Sequence, residues 1–202
     1  MNSVTQSHSP DNDIGGDLRH WSDLRPEAPL RSVVIYESMF GNTHVIAEHV
    51  AEGLRDHGDA TVLSVHDVGP DTIAGVDLVV VGAPTHVHGL PRESSRDDAV
   101  SRPEHYGDGL QVEPSADEPG LREWFATLDH HEGTSAAAFD TRVDMAAVLS
   151  GRASKSIAKE LRHHGFDLVG EPTSFLVDKG THLVPGEDDR ARAWGRTLGA
   201  TR

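Results

Sequence analysis

The stretch that decides the fold is Ser32–Thr43, which reads SVVIYESMFGNT. It opens with an uninterrupted, mostly β-branched run, Ser32–Tyr36, typical of a strand buried on both faces of a sheet. A turn of small and hydroxyl residues follows at once, and then a segment whose apolar residues recur at helical spacing. A strand, a tight turn and a helix in direct succession indicate an α/β fold.

The same alternation continues to the end of the chain. The first helix is predicted over Thr43–His57, with Gly58 as its stop. Four further strands are predicted at Thr61–Val65, Asp77–Gly82, Ser135–Phe139 and Thr173–Val177. Further helices are predicted at Gly120–Leu128, Ala153–His164 and Asp188–Leu198. Five short strands interleaved with helices predict a parallel sheet that is covered on both sides.

Two polar stretches set the domain organisation. Residues 1–30 are rich in Ser, Asp, Asn, Gly and Pro, a composition that buries too little apolar surface to offset the entropy of ordering. We therefore expect a disordered tail followed by one domain over residues 31–202. Residues 91–119 are too long for an ordinary connection, so we expect an inserted loop near the functional face.

Composition excludes several classes of protein. The chain has no cysteine, hence no disulfide and no thiol catalysis, and no apolar run long enough to cross a membrane. The first ten residues lack the apolar centre of a signal peptide, which favours the cytoplasm. A net charge of −15 argues against nucleic acid as a partner. That charge serves solubility alone or steers basic protein partners to an acidic face.

The turn after the first strand has the features of an anion site. Its backbone N–H groups can converge on an anion, and the helix N-terminus adds its dipole. Ser38, Asn42 and Thr43 can add side-chain hydrogen bonds, and the turn contains no Lys or Arg. A phosphate would therefore be held by neutral donors. The alternative is an ordinary turn in which Thr43 caps the helix.

The sequence at this turn resembles the flavodoxins. Tyr36–Gly53 is similar to their first loop and helix, in which the phosphate loop reads roughly Ser/Thr-x-Thr-Gly-x-Thr. Ser38, Gly41 and Thr43 match that pattern, whereas Phe40 replaces the middle Thr. Val79–Pro91 is similar to the second flavin loop, and within it Pro84–Gly89 resembles the quinone-reductase branch of the family. Ala138–Val143 stands at the place of the third flavin loop.

The resemblance implies a fold, a cofactor and a site. The fold is a flavodoxin-like three-layer sandwich with a five-stranded parallel sheet in the order 2-1-3-4-5, and the cofactor is FMN. Ser38, Met39, Phe40, Gly41, Asn42 and Thr43 would hold its ribityl phosphate. Its isoalloxazine would lie between two sets of residues, namely Pro84, Thr85, His86, Val87, His88 and Gly89, and Phe139, Asp140, Thr141 and Arg142.

Members of this family usually stack an aromatic side chain on the flavin. Neither ring-side loop contains Trp or Tyr. This leaves His86, His88 or a second subunit to cover the ring.

No second chemistry is indicated by the sequence. The chain has 14 histidines, yet it lacks an HExxH pattern, and neighbouring histidines on a helix point in different directions, so we predict no metal site. No catalytic residue is assigned, because the GxSxG pattern is also absent.

Three functions stay open at this point. The first is an FMN-binding electron carrier that docks to redox partner proteins, with basic proteins among the candidates. The second is a reductase that takes NAD(P)H and a quinone or flavin, or an enzyme like protoporphyrinogen oxidase. The third is a flavodoxin fold that no longer binds flavin.

Overall fold

The computed structural model describes residues 28–86, 89–146 and 150–201. They form one parallel sheet with helices on both faces. The strands are β1 (Leu30–Tyr36), β2 (Gly58–Ser64), β3 (Leu78–Pro84), β4 (Ser135–Val143), β5 (Asp167–Leu168) and β6 (Thr173–Val177). The α-helices are α1 (Asn42–Leu54), α2 (Glu93–Ser101), α3 (Leu121–Thr127), α4 (Ala153–His163) and α5 (Glu187–Gly199). Short 3₁₀ turns lie at Val65–Asp67 and Pro103–His105.

The sheet has the predicted strand order and direction. Its order is β2-β1-β3-β4-β5, every pairing is parallel, and β6 also pairs with β4. The predicted fifth position is filled by two short strands, β5 beside the start of β4 and β6 beside its end. Between them Gly170 has a φ of +74° and Pro172 has no N–H to donate, which interrupts a continuous ladder.

The sheet separates two hydrophobic cores, and β1 contributes to both. Val33 and Ile35 pack into the core beneath α3 and α4, and Val34 and Tyr36 pack into the core beneath α1 and α5. Successive side chains of a strand point to opposite faces, so a strand covered on both sides is apolar throughout. This is why the unbroken run in the sequence identified the central strand.

Helices α1 and α5 pack backbone to backbone. A Cβ atom at Gly53 would lie 2.1 Å from the carbonyl oxygen of Arg192, and one at Gly195 would lie 2.1 Å from that of Val50. The ion pair between Arg192 and Glu52, 2.6 Å long, lies at the exposed rim of this contact. Exposed pairs contribute little, so the two glycines set the approach of the helices.

Some predicted boundaries and segments differ from the structure. Helix α1 ends at Leu54, and Gly58 begins β2, where a Cβ would lie 2.2 Å from the carbonyl oxygen of Leu30. The segment 91–119 contains helix α2, where a loop was expected throughout. The predicted tail lies outside the described residues up to residue 27. Within the described part of the chain, no helix has the length and apolarity needed to cross a membrane.

Gly53→Ala should destabilise the fold. Alanine has the better helix propensity by about 1 kcal/mol, but its Cβ would force α1 and α5 apart. We expect a net loss of about 1–3 kcal/mol in the free energy of unfolding by urea. The control is Gly69→Ala, because a Cβ there meets only the Thr72 hydroxyl at 3.8 Å. Equal unfolding midpoints for Gly53→Ala and Gly69→Ala would contradict this account.

Candidate functional site

A cavity lies where the carboxyl ends of β1, β3, β4 and β6 meet. It encloses about 520 Å³ of space between atoms, part of it open to solvent. Its walls are formed by Ser38, Met39, Phe40, Asn42, Thr43, Pro84, Thr85, His86, Tyr106, Thr141, Arg142, Val143, Val177 and Thr181. In doubly wound sheets this edge is the usual place for a ligand.

The turn after β1 begins helix α1 at the cavity. Gly41 has a φ of +84°, a conformation that favours glycine, and its N–H donates to the Ser38 hydroxyl at 3.1 Å. The hydroxyls of Thr43 and Thr141 share a hydrogen bond of 2.8 Å. Because the first N–H groups of a helix have no partner within it, the start of α1 offers donors to an anion. Gly41 itself does not line the cavity wall.

The loop after β6 is hydrogen-bonded to this turn. The Asn42 side-chain amide donates to the carbonyl oxygen of Thr181 at 2.6 Å, and the Thr181 hydroxyl donates to the carbonyl oxygen of Tyr106. Thr181 has a φ of +63°, which is rare for a β-branched residue. The loop therefore connects the turn after β1 to the segment 91–119.

Tyr106 supplies the aromatic group that the predicted loops lack. Its ring lies 5.1 Å from that of Phe40 and 5.7 Å from that of His86, and its hydroxyl donates to Asp98 at 3.2 Å. Burial, together with the nearby Asp98 carboxylate, raises its pKa to about 12. Sequence reasoning missed Tyr106, although it is one of only two tyrosines in the chain and lies in the segment expected near the functional face.

The loop after β3 is fixed by backbone hydrogen bonds. The Thr85 N–H donates to the carbonyl oxygen of Thr141 at 2.7 Å, and the Thr85 hydroxyl accepts from the N–H of Ala153, the first residue of α4, at 2.8 Å. His86 and Gly89 exchange two backbone hydrogen bonds. Pro84, Thr85 and His86 line the cavity, and Gly89 does not. The predicted site residues at positions 87 and 88 lie outside the described residues.

Two of the four predicted residues of β4 do not reach the cavity. Phe139 is fully buried in the core, with its ring 5.9 Å from that of Phe175 and 6.1 Å from that of Trp194. Asp140 is also fully buried, and its carboxylate accepts from the Ser154 N–H near the start of α4 at 2.7 Å. These two residues support the strand, and their assignment to the cofactor's ring is corrected accordingly.

Arg142 is the charged residue on the cavity wall. Its Nη1 donates to the carbonyl oxygens of Val143 at 3.2 Å and Met145 at 2.7 Å and to the hydroxyl of Ser150 at 3.3 Å. Its Nε is buried without a hydrogen-bond partner. Within the described residues no carboxylate forms an ion pair with Arg142.

A buried ion pair holds the segment 91–119 beside the turn. Glu37, which directly precedes the turn, and Arg96 of α2 are 2% and 3% exposed, and Glu37 Oε1 lies 3.7 Å from Arg96 Nη1. Glu37 Oε2 accepts from the Leu121 N–H at 2.9 Å, and Arg96 Nη2 lies 3.1 Å from Glu123. Burial raises the pKa of Glu37, while the Leu121 hydrogen bond and the Arg96 charge oppose that rise.

A metal centre is not formed by the described residues. They contain no group of three or more His, Asp or Glu side chains placed to hold a metal ion. The fold and the cavity together define a doubly wound α/β protein with a helix N-terminus and an aromatic wall at the carboxyl edge of its sheet.

Comparison with known proteins identifies the family. A sequence model of the Flavodoxin family matches residues 34–140, more than half of the chain. The chain belongs to the flavodoxin family. No curated protein matches the sequence.

Solved structures share the fold at low identity. An archaeal flavodoxin is 17% identical with a TM-score of 0.58, over 85% of this chain and 97% of its own. Flavodoxin 1 of Bacillus cereus is 19% identical with a TM-score of 0.58, over 85% and 98%. The flavodiiron core of Flv1 from Synechocystis is 16% identical with a TM-score of 0.54, over 90% of this chain and 38% of its own.

His86 should remain neutral to a lower pH than an ordinary histidine. Burial lowers its pKa below 6.5, although Asp98 opposes the shift. The unfolded chain then takes up a proton before the folded one, so this group costs stability as the pH falls from 6.5 through the folded pKa. An NMR titration of the ring measures this pKa. Tyr106→Ala should expose the His86 ring and bring its pKa back toward 6.5. A wild-type pKa at or above 6.5 would contradict the conclusion that burial keeps His86 neutral.

Proposed function

We propose that this protein binds FMN in the cavity and carries electrons between redox partner proteins. The observation that carries the proposal is the turn Ser38–Thr43 at the start of α1. It opens into the same cavity as the ends of β3 and β4 and the ring of Tyr106. A phosphate site and an aromatic wall within one cavity suit a ligand that has both a phosphate and a flat ring.

The donor set of the turn fits a phosphate. Backbone N–H groups at the start of α1 are aligned with the helix dipole, which favours an anion. A Cβ built at Gly41 would meet nothing closer than the Glu113 carboxylate at 3.8 Å, so the backbone is open to approach on that side. The Thr43 hydroxyl can accept from Thr141 and donate its own hydrogen to the phosphate.

The remaining walls fit a flat aromatic ring. The apolar and aromatic residues that line the cavity include Met39, Phe40, Tyr106, Val143 and Val177. When bound, FMN supplies the redox chemistry, and the protein supplies binding, orientation and charge. The residues of this chain hold the phosphate, cover the ring and keep water from it.

Electron transfer between proteins is the function that the site supports best. Within the described residues the cavity wall holds no nucleophile paired with a base and no metal ligand set. The net charge of −15 favours basic protein partners, because opposite charge speeds encounter. Family membership supports the same proposal.

A reductase that passes electrons from NAD(P)H to a quinone is the second candidate. Reducing a quinone to a hydroquinone takes two electrons and two protons. The rings of His86 and Tyr106 lie 5.7 Å apart at the cavity, and their imidazole and hydroxyl groups could exchange protons with a substrate. Steady-state oxidation of NAD(P)H with added quinone would support this candidate, and an FMN-loaded protein without such turnover would support the carrier.

Thr43→Val should weaken FMN and spare riboflavin, which lacks the phosphate. One lost hydrogen bond to a charged group costs about 1.5–3 kcal/mol, or about tenfold to a hundredfold in affinity. Fluorescence titration of both flavins against wild type and Thr43→Val measures the difference. Thr141→Val is the comparison variant: it breaks the same hydroxyl pair but keeps the Thr43 hydroxyl, so it should retain the preference for FMN over riboflavin that Thr43→Val loses.

Two outcomes of these titrations count against the proposal. Equal affinity of wild type for FMN and riboflavin would show that the turn is not a phosphate site. Binding of neither flavin at millimolar concentration would leave only the fold and the third alternative, a flavodoxin fold without flavin.

Tyr106→Ala should weaken FMN and riboflavin to the same extent, because the side chain faces the ring and not the phosphate. Aromatic contacts contribute about 0.5–1.5 kcal/mol beyond the area they bury, which corresponds to about twofold to tenfold in affinity. Tyr106→Phe keeps the ring and should retain most of the binding. A loss confined to FMN would assign Tyr106 to the phosphate end instead.

A further inference from the structure

We propose that Arg142 stabilises the negative charge of the reduced flavin, and so favours the two-electron-reduced state of the bound cofactor. This inference rests on the proposed function and gives that site a specific redox character.

Among the described residues, no carboxylate forms an ion pair with Arg142. Among the described residues that line the cavity it is the one Lys, Arg, Asp or Glu. Its three hydrogen-bond acceptors among the described residues are two carbonyls and a hydroxyl, all neutral, and its buried Nε has no partner there. A chain with a net charge of −15 thus presents a positive charge at the cavity.

Strand alternation separates Arg142 from the phosphate end. Along β4, Phe139 packs toward α1 and α5, and the Thr141 hydroxyl meets that of Thr43 in α1. Asp140 bonds to the start of α4, and Arg142 bonds to Ser150, which precedes α4. Arg142 therefore lies on the face of the sheet opposite the Thr43 hydroxyl, which leaves the ring as its target.

The negative charge that the flavin ring would gain on reduction determines what Arg142 would do. An oxidised flavin ring that takes up two electrons and one proton carries one negative charge, and a hydride donor supplies all three at once. A neighbouring guanidinium attracts the reduced ring more than the neutral oxidised ring. Binding the reduced form tenfold more tightly than the oxidised form raises the potential of a two-electron couple by about 30 mV.

The test compares oxidised and reduced flavin on matched variants. Arg142→Met removes the charge at similar length, Arg142→Lys keeps it, and Arg162→Met removes an exposed charge at the far end of α4. Dissociation constants are measured for FMN and riboflavin, each oxidised and dithionite-reduced, without oxygen. We expect Arg142→Met to lose about tenfold or more in the affinity for reduced over oxidised flavin. The loss should be the same for both flavins, with Arg142→Lys and Arg162→Met close to wild type.

Other outcomes overturn the proposal. A loss for FMN alone, equal in both redox states, would assign Arg142 to the phosphate. An unchanged ratio of the affinities for reduced and oxidised flavin would mean that Arg142 only holds Val143, Met145 and Ser150 in place. If Arg142→Met does not fold, Arg142→Gln, which keeps a side-chain N–H donor for the same oxygens, carries the comparison. Wild-type protein that binds neither flavin would defeat the proposed function and this inference together, whereas wild-type binding with unchanged ratios defeats only the inference.

Discussion

The parallel pairing of β1 with both β2 and β3 is the constraint on which the rest of the molecule depends. Because all strands run the same way, all their carboxyl ends lie at one edge of the sheet. Segments far apart in sequence therefore meet there, as the hydrogen bond between Asn42 and Thr181 shows across 139 residues. The two cores on either side of β1 stabilise this arrangement, since a strand covered on both faces cannot slip without exposing apolar side chains.

A close contact between β3 and β4 then fixes which side chains face the cavity. Gly82 is paired with Phe139, and a Cβ at Gly82 would lie 2.0 Å from the Phe139 ring. The ring fits because position 82 has no side chain, and it joins the core beneath α1 and α5. With Phe139 directed to that side, strand alternation sends Thr141 the same way and Arg142 the other. The core packing of one phenylalanine thus sets the orientation of the site residues that follow it.

Local patterns predicted the elements that are held by apolar packing and missed those held by polar contacts. The strands were found because β-branched runs are directly visible in sequence. Helix α2, ESSRDDAVS, has almost no apolar periodicity, since its anchor is the buried pair of Arg96 with Glu37. Tyr106 and Thr181 were missed for the same reason, because tertiary contacts alone bring their segments to the cavity. Phe139 was predicted at the site because its segment was treated as a loop. The alternation of side chains along β4 was not taken into account.

Polar side chains of the turn after β1 already form hydrogen bonds within the protein. This affects how the turn would hold an anion. The Asn42 amide bonds to Thr181, and the Ser38 hydroxyl accepts from Gly41. Thr181 keeps an unfavourable φ of +63°, at a cost of about 1–3 kcal/mol, because its carbonyl and hydroxyl hold Asn42 and Tyr106 together. These side chains therefore shape the turn, and an anion would be left to the N–H groups at the start of α1 that follow Gly41. Since the same hydrogen bonds position Tyr106, the turn after β1 and the aromatic wall are fixed relative to each other.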